Sequence, residues 1–350
     1  MSKKYILTSE FPPKQGSHTL RVSKLFNKGF VKLEFDNYVI FEKNFFSKFL
    51  NDNICALLQP KHYSYKINPI NINKLINTLK LGDQLYTSSG CYFAHIIGSI
   101  VKQARPDIVW VADFGDPWSA GELFPENLPT RRIISYLEEN KYLRFADHIF
   151  VTTKHYQKFL EKKYNNVHYI PMGFSNVDVK KMNSDFILYG GSSYSLSRNL
   201  KNLINAVKDI NSDLLIVGDV SSKYQKYINN KNILNVKIKG RLSYEDFSEF
   251  ELSSSVQVVI LNKCFMQIPG KLYQCIANKP TLVISQGYLT KEISEICSMS
   301  DSTIIVCNSV DDIKNGLLKL VDFKNSSVSK EFCEIFSWLS LANKVRGVVK

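Results

Sequence analysis

The chain reads as an α/β protein built from two doubly wound parallel-sheet domains in tandem. Three observations predict this. At 350 residues the chain is longer than one core usually serves. Short apolar runs rich in β-branched and aromatic residues alternate with longer stretches of helical period, the pattern of a parallel sheet covered on both faces. The alternation stops near residue 172 and restarts near 186, as if from a first strand.

In the first half the strand candidates are "KYILT" (4–8), "NYVIF" (37–41), "QLYTSS" (84–89), "DIVWVA" (107–112), "HIFVTT" (148–153) and "NVHYIP" (166–171). Helical patterns lie between them near 19–29, 70–80, 92–104, 131–145 and 154–163. In the second half the strands are "FILYGG" (186–191), "DLLIVGD" (213–219), "NVKIKG" (235–240), "VQVVIL" (256–261), "PTLVIS" (280–285) and "STIIVC" (302–307). Their helices fall near 198–208, 243–252, 269–277 and 309–321. This divides the chain into a first domain over 1–172, a linker over 173–185 and a second domain over 186–330. A closing amphipathic helix or two is expected over 331–350, packing back on the first domain.

Composition narrows the class. Hydrophobic residues make up 44% and aromatics 12%, as in a folded globular protein. The apolar stretch after Lys3 and Lys4 breaks at Ser9 and Glu10, too early for a signal peptide, and no run is long enough to span a bilayer. Seven cysteines with no paired CxxC spacing argue against metal knuckles and a disulfide framework, and fit reduced thiols in a cytoplasm. The net charge of +13 is spread along the chain without a basic run flanked by stacking aromatics, so nucleic acid is not the expected partner. An anionic membrane surface beside a cytoplasmic, peripheral enzyme is the better match for dispersed lysines.

Ligands of doubly wound sheets bind where loops leave the carboxyl ends of strands, and two such domains are expected to face each other across a cleft. The first loop, "TSEFPPKQGSHTLRVSKLF", offers Gly16 for a turn and Ser17 or Thr19 to cap a helix whose amides would meet an anion, with His18 beside them. The stretch "VADFGDPWSAG" (111–121) sets Asp113 and Asp116 behind a buried strand, with Trp118 after them. A carboxylate there can orient a hydroxyl or stabilise positive charge developing at a sugar's anomeric carbon, while an Asx-turn packed by Trp118 is the alternative.

In the second half "YGGSSYSLSRNLKNL" (189–203) is a glycine turn, Gly190-Gly191-Ser192, followed by Arg198 and Lys201. It suits a diphosphate, with close backbone approach and two cations, and it is not the GxGxxG signature of a nicotinamide cofactor. A strand ends in Gly240-Arg241-Leu242 with Ser243 as the next helix cap. Pro269-Gly270 then opens a helix carrying Lys271, Leu272, Tyr273 and Gln274, whose N-terminus again favours an anion.

Together these stretches resemble the GT-B glycosyltransferases, two Rossmann-like domains, and most closely the family 4 enzymes that build bacterial surface polysaccharides. "VADFGDPWS" resembles the family's Asp-Phe-Arg-Asp-Pro-Trp element. "LRFADHIFVTTKHYQKFLEKKYNNVHYIPMGFS" resembles its Ala-Asp strand and Ile-Pro-Asn-Gly-Phe-Asp linker, "PGKLYQCIANKP" its Pro-x-Lys-x-Tyr-Glu-Tyr helix, and "FSWLSLANKVRGVV" its closing helix. The resemblance implies transfer of a sugar from a nucleotide diphosphate, most commonly of uridine, to a glycan or undecaprenyl-linked acceptor hydroxyl. It further implies retention of configuration, no cofactor and no bound metal, and the chain contains no Asp-x-Asp. It assigns the diphosphate to Arg198 and Lys271, the base to the 240–242 turn, the ribose to Gln274, and the acceptor side to Asp113 and Asp116.

Three departures stand out. Gly115 replaces an arginine between the aspartates, Met172 and Ser175 replace Asn and Asp of the linker, and Gln274 replaces a glutamate. They keep two alternatives in view, a nucleotide-sugar epimerase of the same fold and a non-catalytic homologue acting as a binding subunit.

Overall fold

The computed structural model describes residues 2–14, 16–41, 65–88, 92–121, 128–175, 186–193, 198–321, 323 and 328–349. The chain forms two compact units, Met1–Pro171 with Leu341–Lys350, and Met172–Ser340. Most of the expected linker, 176–185, lies outside the described residues.

The main strands of the first unit are β1 (Lys4–Thr8), β2 (Phe30–Glu34), β5 (Gln84–Ser88), β6 (Val109–Phe114), β7 (His148–Val151) and β8 (Val167–Tyr169). They form a six-stranded parallel sheet in the order β2-β1-β5-β6-β7-β8. The helices are α1 (Ser17–Leu25), α2 (Pro69–Thr78), α3 (Phe93–Ala104), α4 (Pro129–Leu143) and α5 (Lys154–Glu161). The direction of winding reverses between β1 and β5, so the loops leaving β1 and β5 part there, the position where open α/β sheets hold ligands. β1, β5 and β6 are buried for nearly their whole length, as covered parallel strands must be.

One strand assignment is corrected. The 37–41 segment does not join the main sheet: β3 (Val39–Phe41) pairs antiparallel with β4 (Tyr65–Ile67) in a separate two-stranded sheet. The second strand of the main sheet is instead β2, "FVKLE", whose lysine and glutamate are tolerated because it is an edge strand with one inward face.

The second unit repeats the plan with β9 (Phe186–Gly190), β10 (Asp213–Val217), β11 (Val236–Lys239), β12 (Val256–Ile260), β13 (Thr281–Ser285) and β14 (Thr303–Cys307). Their order is β11-β10-β9-β12-β13-β14, all parallel. Its helices are α6 (Lys201–Lys208), α7 (Ser222–Asn230), α8 (Tyr244–Ser253), α9 (Lys271–Asn278), α10 (Lys291–Ser298) and α11 (Val310–Val321). The α7 and α10 helices were not expected from the sequence. Ser243 caps α8 through Asp246 N–H, as its position predicts. The core gathers Ile187, Leu203, Leu214, Val258, Leu282 and Leu317 from strands and helices alike.

The tail is two helices, α12 (Lys330–Phe336) and α13 (Trp338–Val348). Ser337 between them bridges Phe174 in the second unit. From Leu341 onward α13 belongs to the first unit, where Lys344 Nζ donates to the carbonyl of Tyr169. Among the described residues no helix is long and apolar enough to cross a membrane, and the five described cysteines are free thiols.

Candidate functional site

In the second unit the winding reverses between β9 and β12, and the loops at their carboxyl ends carry the candidate anion site. The turn after β9 is held by Gly191 N–H donating to Val217 O at 2.8 Å and Ser193 N–H to Asp219 O at 2.9 Å. Gly191 sits at φ +149°, and a Cβ there would come 2.9 Å from Lys271 Nζ. Only glycine leaves that space to the ammonium.

Lys271 is the first residue of α9, at the helix N-terminus, where a positive end of the dipole already resides. Its Nζ is buried and has no hydrogen-bond acceptor; it lies 4.2 Å from the Tyr189 ring centroid. Burial lowers its pKa to about 8, and the charge of Arg198 pushes the same way, while Cys275 and Glu251 oppose. Glu251 itself is pushed up to about 7, mainly by burial. A buried ammonium with no hydrogen-bond acceptor is costly, and an anionic ligand would offset that cost.

Arg198 points its Nε and Nη2 at Asn262 Oδ1, 3.2 and 2.9 Å away. Asn262 is buried in the loop leaving β12, so the guanidinium is anchored at the winding reversal. Nothing in the sequence singled out Asn262 or Tyr189. Ser192 is exposed beside the turn. Lys201 stands elsewhere: it is exposed, with its Nζ 5.4 Å from the Tyr227 ring on α7. Gly240 is exposed, Arg241 faces Asp219 at 3.7 Å, and Leu242 packs under the sheet near Leu188, Leu215 and Val217.

Three of the α9 residues already have protein partners. Leu272 and Tyr273 are fully buried, Tyr273 packing on Phe336 with 5.0 Å between ring centroids, so they build core. Gln274 is engaged by backbone. Its Oε1 accepts from Ser175 N–H at 3.0 Å and its Nε2 donates to Ser175 O at 3.1 Å, pinning the backbone after Phe174. Pro269 is buried and Gly270 forms the N-cap of α9, with Leu272 N–H bonded to Pro269 O.

In the first unit Asp113 lies near the end of β6. It is fully buried, and Arg21 from α1, also fully buried, grips it through Nε and Nη2, with 2.6 Å from Nη2 to Oδ1. Ser88 Oγ donates to it at 2.8 Å, and the remaining Arg21 nitrogen, Nη1, donates to Pro171 O. Every polar edge of this pair is used, which is what permits two charges inside a sheet. Trp118 is also core: 1% exposed, it stacks on Tyr92 at 5.2 Å. α1 has Gly16 as N-cap with no side-chain cap bond. Ser17 is therefore the first helical residue, and Thr19 is buried.

Asp116 and His18 do meet. His18 Nε2 lies 2.9 Å from Asp116 Oδ2, with the carboxylate side chain half exposed and the imidazole largely covered. Burial works against the imidazolium, but Asp116, helped by Glu10 and Asp113, outweighs it, and the pKa is raised. The loop carrying Asp116 is fixed from behind by buried Glu139 of α4, which accepts from Ser119 N–H and Oγ at 3.0 and 2.8 Å. The sequence reading missed Glu139 and Arg21; a lone charge on the inward stripe of an amphipathic helix was the available signal.

No family model matches the chain. An uncharacterized glycosyltransferase of Methanocaldococcus jannaschii is 22% identical over 99% of this chain and 97% of its own length. Among solved structures, HepE of Anabaena in complex with UDP and glucose aligns with a TM-score of 0.66 at 13% identity, over 100% of this chain and 99% of that one. Sucrose-phosphate synthase of Thermosynechococcus elongatus gives 0.66 at 13% identity over 99% and 98%. The lipopolysaccharide outer core galactosyltransferase WaaB gives 0.59 at 11% over 100% and 99%. With two parallel six-stranded sheets wound in the same sense, the resemblance read from the sequence holds, and the chain has the GT-B fold of glycosyltransferases.

Proposed function

We propose that this protein is a glycosyltransferase that takes a sugar from a UDP-sugar and moves it to a hydroxyl of a glycan or lipid-linked glycan, in surface polysaccharide synthesis. The observation that carries the reading is the buried Lys271 ammonium, which has no acceptor of its own and lies against a glycine turn with Arg198 close by. A diphosphate supplies the missing acceptors and charge. Support comes from HepE, an aligned structure in complex with UDP, and separately with UDP-glucose.

In the proposed reaction the bond from the anomeric carbon to the diphosphate breaks and its electron pair leaves with UDP. Lys271 and Arg198 stabilise that charge as two fixed cations, so no metal is invoked. The acceptor oxygen forms the new bond to the anomeric carbon and its proton passes to an oxygen of the departing diphosphate, with net retention at the anomeric carbon. Asp116, held by His18, is the carboxylate assigned to the acceptor hydroxyl, and the Arg241 turn is assigned to the base.

The test is calorimetric titration of UDP in the presence of a chelator. Wild type should bind, and Lys271→Ala and Arg198→Ala should each weaken binding and cut sugar transfer by roughly 100-fold or more. Wild-type behaviour in both variants sinks the assignment. Donor consumed to an epimer without any acceptor would point to the epimerase, and binding without turnover to the non-catalytic homologue.

A further inference from the structure

Two histidines of the first unit face each other at the margin of its sheet. His148 opens β7, and His168 is the middle residue of β8, the edge strand. The register sets His168 opposite Phe150, two residues on from His148, so all three side chains stand on one face of the sheet. His148 Nδ1 lies 3.1 Å from His168 Nε2, with the ring centroids 5.2 Å apart and the planes inclined at 51°. The Phe150 ring meets His168 edge-on at 5.8 Å, which limits how far that imidazole can swing.

Both imidazoles are partly exposed. Burial lowers the pKa of each, so both are neutral near pH 7 and each keeps one bare nitrogen. Asp147, next to His148, is held by Lys102 at 2.8 Å, and Lys344 of α13 approaches from the β8 side with its Nζ on Tyr169 O. The carboxylate favours a cation bound by the pair, and Lys344 opposes one.

A hydrogen bond uses this arrangement only in part, because one ring must donate and the other accept. Nitrogens bound to one ion at about 2.0–2.1 Å, at angles from square to tetrahedral, stand about 2.9–3.4 Å apart. The observed separation already matches that bite, so turning the rings, with both strands in place, brings two lone pairs onto one ion. We infer that His148 and His168 are the protein ligands of a divalent transition-metal ion of the imidazole-preferring class, Zn²⁺ or Cu²⁺, which staples β8 to β7. The ring that had donated carries its proton on its outer nitrogen instead. Neither outer nitrogen is buried without a partner, so water can accept from it. Among the described residues no cluster of three or more His, Cys, Asp and Glu side chains is placed to hold an ion, so water completes the coordination. The pair lies at the start of β7, whereas the candidate donor and acceptor loops leave the carboxyl ends of their strands. The ion is therefore structural, and the inference does not rest on the function proposed above.

The experiment is calorimetric titration of the full chain, without an affinity tag and with exposed thiols blocked by N-ethylmaleimide, because free cysteines compete for these ions. Zinc chloride should fill one site per chain, copper(II) chloride should bind more tightly, and magnesium chloride should not bind. His148→Ala and His168→Ala should each weaken Zn²⁺ binding at least about tenfold, and His155→Ala should leave it unchanged. Electron paramagnetic resonance of the Cu²⁺-loaded protein should show coupling to two imidazole nitrogens, reduced to one in either variant. Zn²⁺ should raise the melting temperature of wild type and of neither variant, while melting in a chelator checks that each variant is folded. Absence of Zn²⁺ and Cu²⁺ binding by folded wild type reduces the pair to a hydrogen bond and overturns the inference. Binding that survives both substitutions places the ion elsewhere and overturns it as well.

Discussion

The His18 imidazole lies directly over Gly115: a Cβ at position 115 would fall 2.1 Å from Cε1 and 2.4 Å from Nδ1 of the ring. Gly115 is where the resembled family carries arginine, and the space that a longer side chain would take is occupied by a histidine from the first turn of α1. His18 then supplies beside Asp116 a cation that titrates, where an arginine would not.

Gly115→Ala should therefore push the imidazole off its seat, costing about 1–3 kcal/mol of stability. It should also carry the His18 pKa back down toward its ordinary value, read by NMR titration. The His18 contribution has a defined sign. A folded pKa raised by Asp116 stabilises the protein below the unfolded value of 6.5 and is lost as pH rises through the folded one. Asp116→Asn should flatten that pH dependence.

Lys271 predicts a trade between stability and function. Its folded pKa of about 8 lies below the ordinary 10.5, so the unfolded chain holds more protons between those values and stability rises with pH across that window. Lys271→Met should abolish the rise, leave the ligand-free protein as stable as wild type or more so at pH 7, and lose UDP binding. Proton uptake on binding UDP near pH 8, read by calorimetry in buffers of different ionisation enthalpy, checks the same group.

Gln274→Glu tests the clamp on Ser175. A carboxylate still accepts from Ser175 N–H but cannot donate to its carbonyl, so a thermal melt should show a loss of about 1–3 kcal/mol. UDP affinity should change less than tenfold, since this side chain's polar atoms are occupied by backbone. A large selective loss of UDP affinity would return Gln274 to the ribose.

Asp113→Asn leaves Arg21 buried without its counter-charge and should destabilise the first unit by about 3–5 kcal/mol. The measurement is chemical unfolding of the variant against wild type. A variant of full stability with turnover selectively abolished would make Asp113 catalytic after all.

What the sequence alone determined is the local period of its apolar residues, and through it the winding. Runs such as "DLLIVGD" and "VQVVIL" can satisfy their backbone and bury both faces only in a covered parallel sheet. Caps such as Ser243 and the glycine turn at Gly190-Gly191 were legible for the same reason, being set within three or four residues. An edge strand, β2, and an amphipathic but polar helix, α7, escaped because their burial is partial and their period blurred. Tertiary structure alone decided which polar groups face water. Asp113 meets Arg21 across 92 residues, Gln274 meets Ser175 across 99, and His18 meets Asp116 across 98. In sequence Asp113 and Asp116 look alike. One ends under a guanidinium and the other at the surface because a buried carboxylate survives only where the fold delivers a partner, and no local pattern records which partner will arrive.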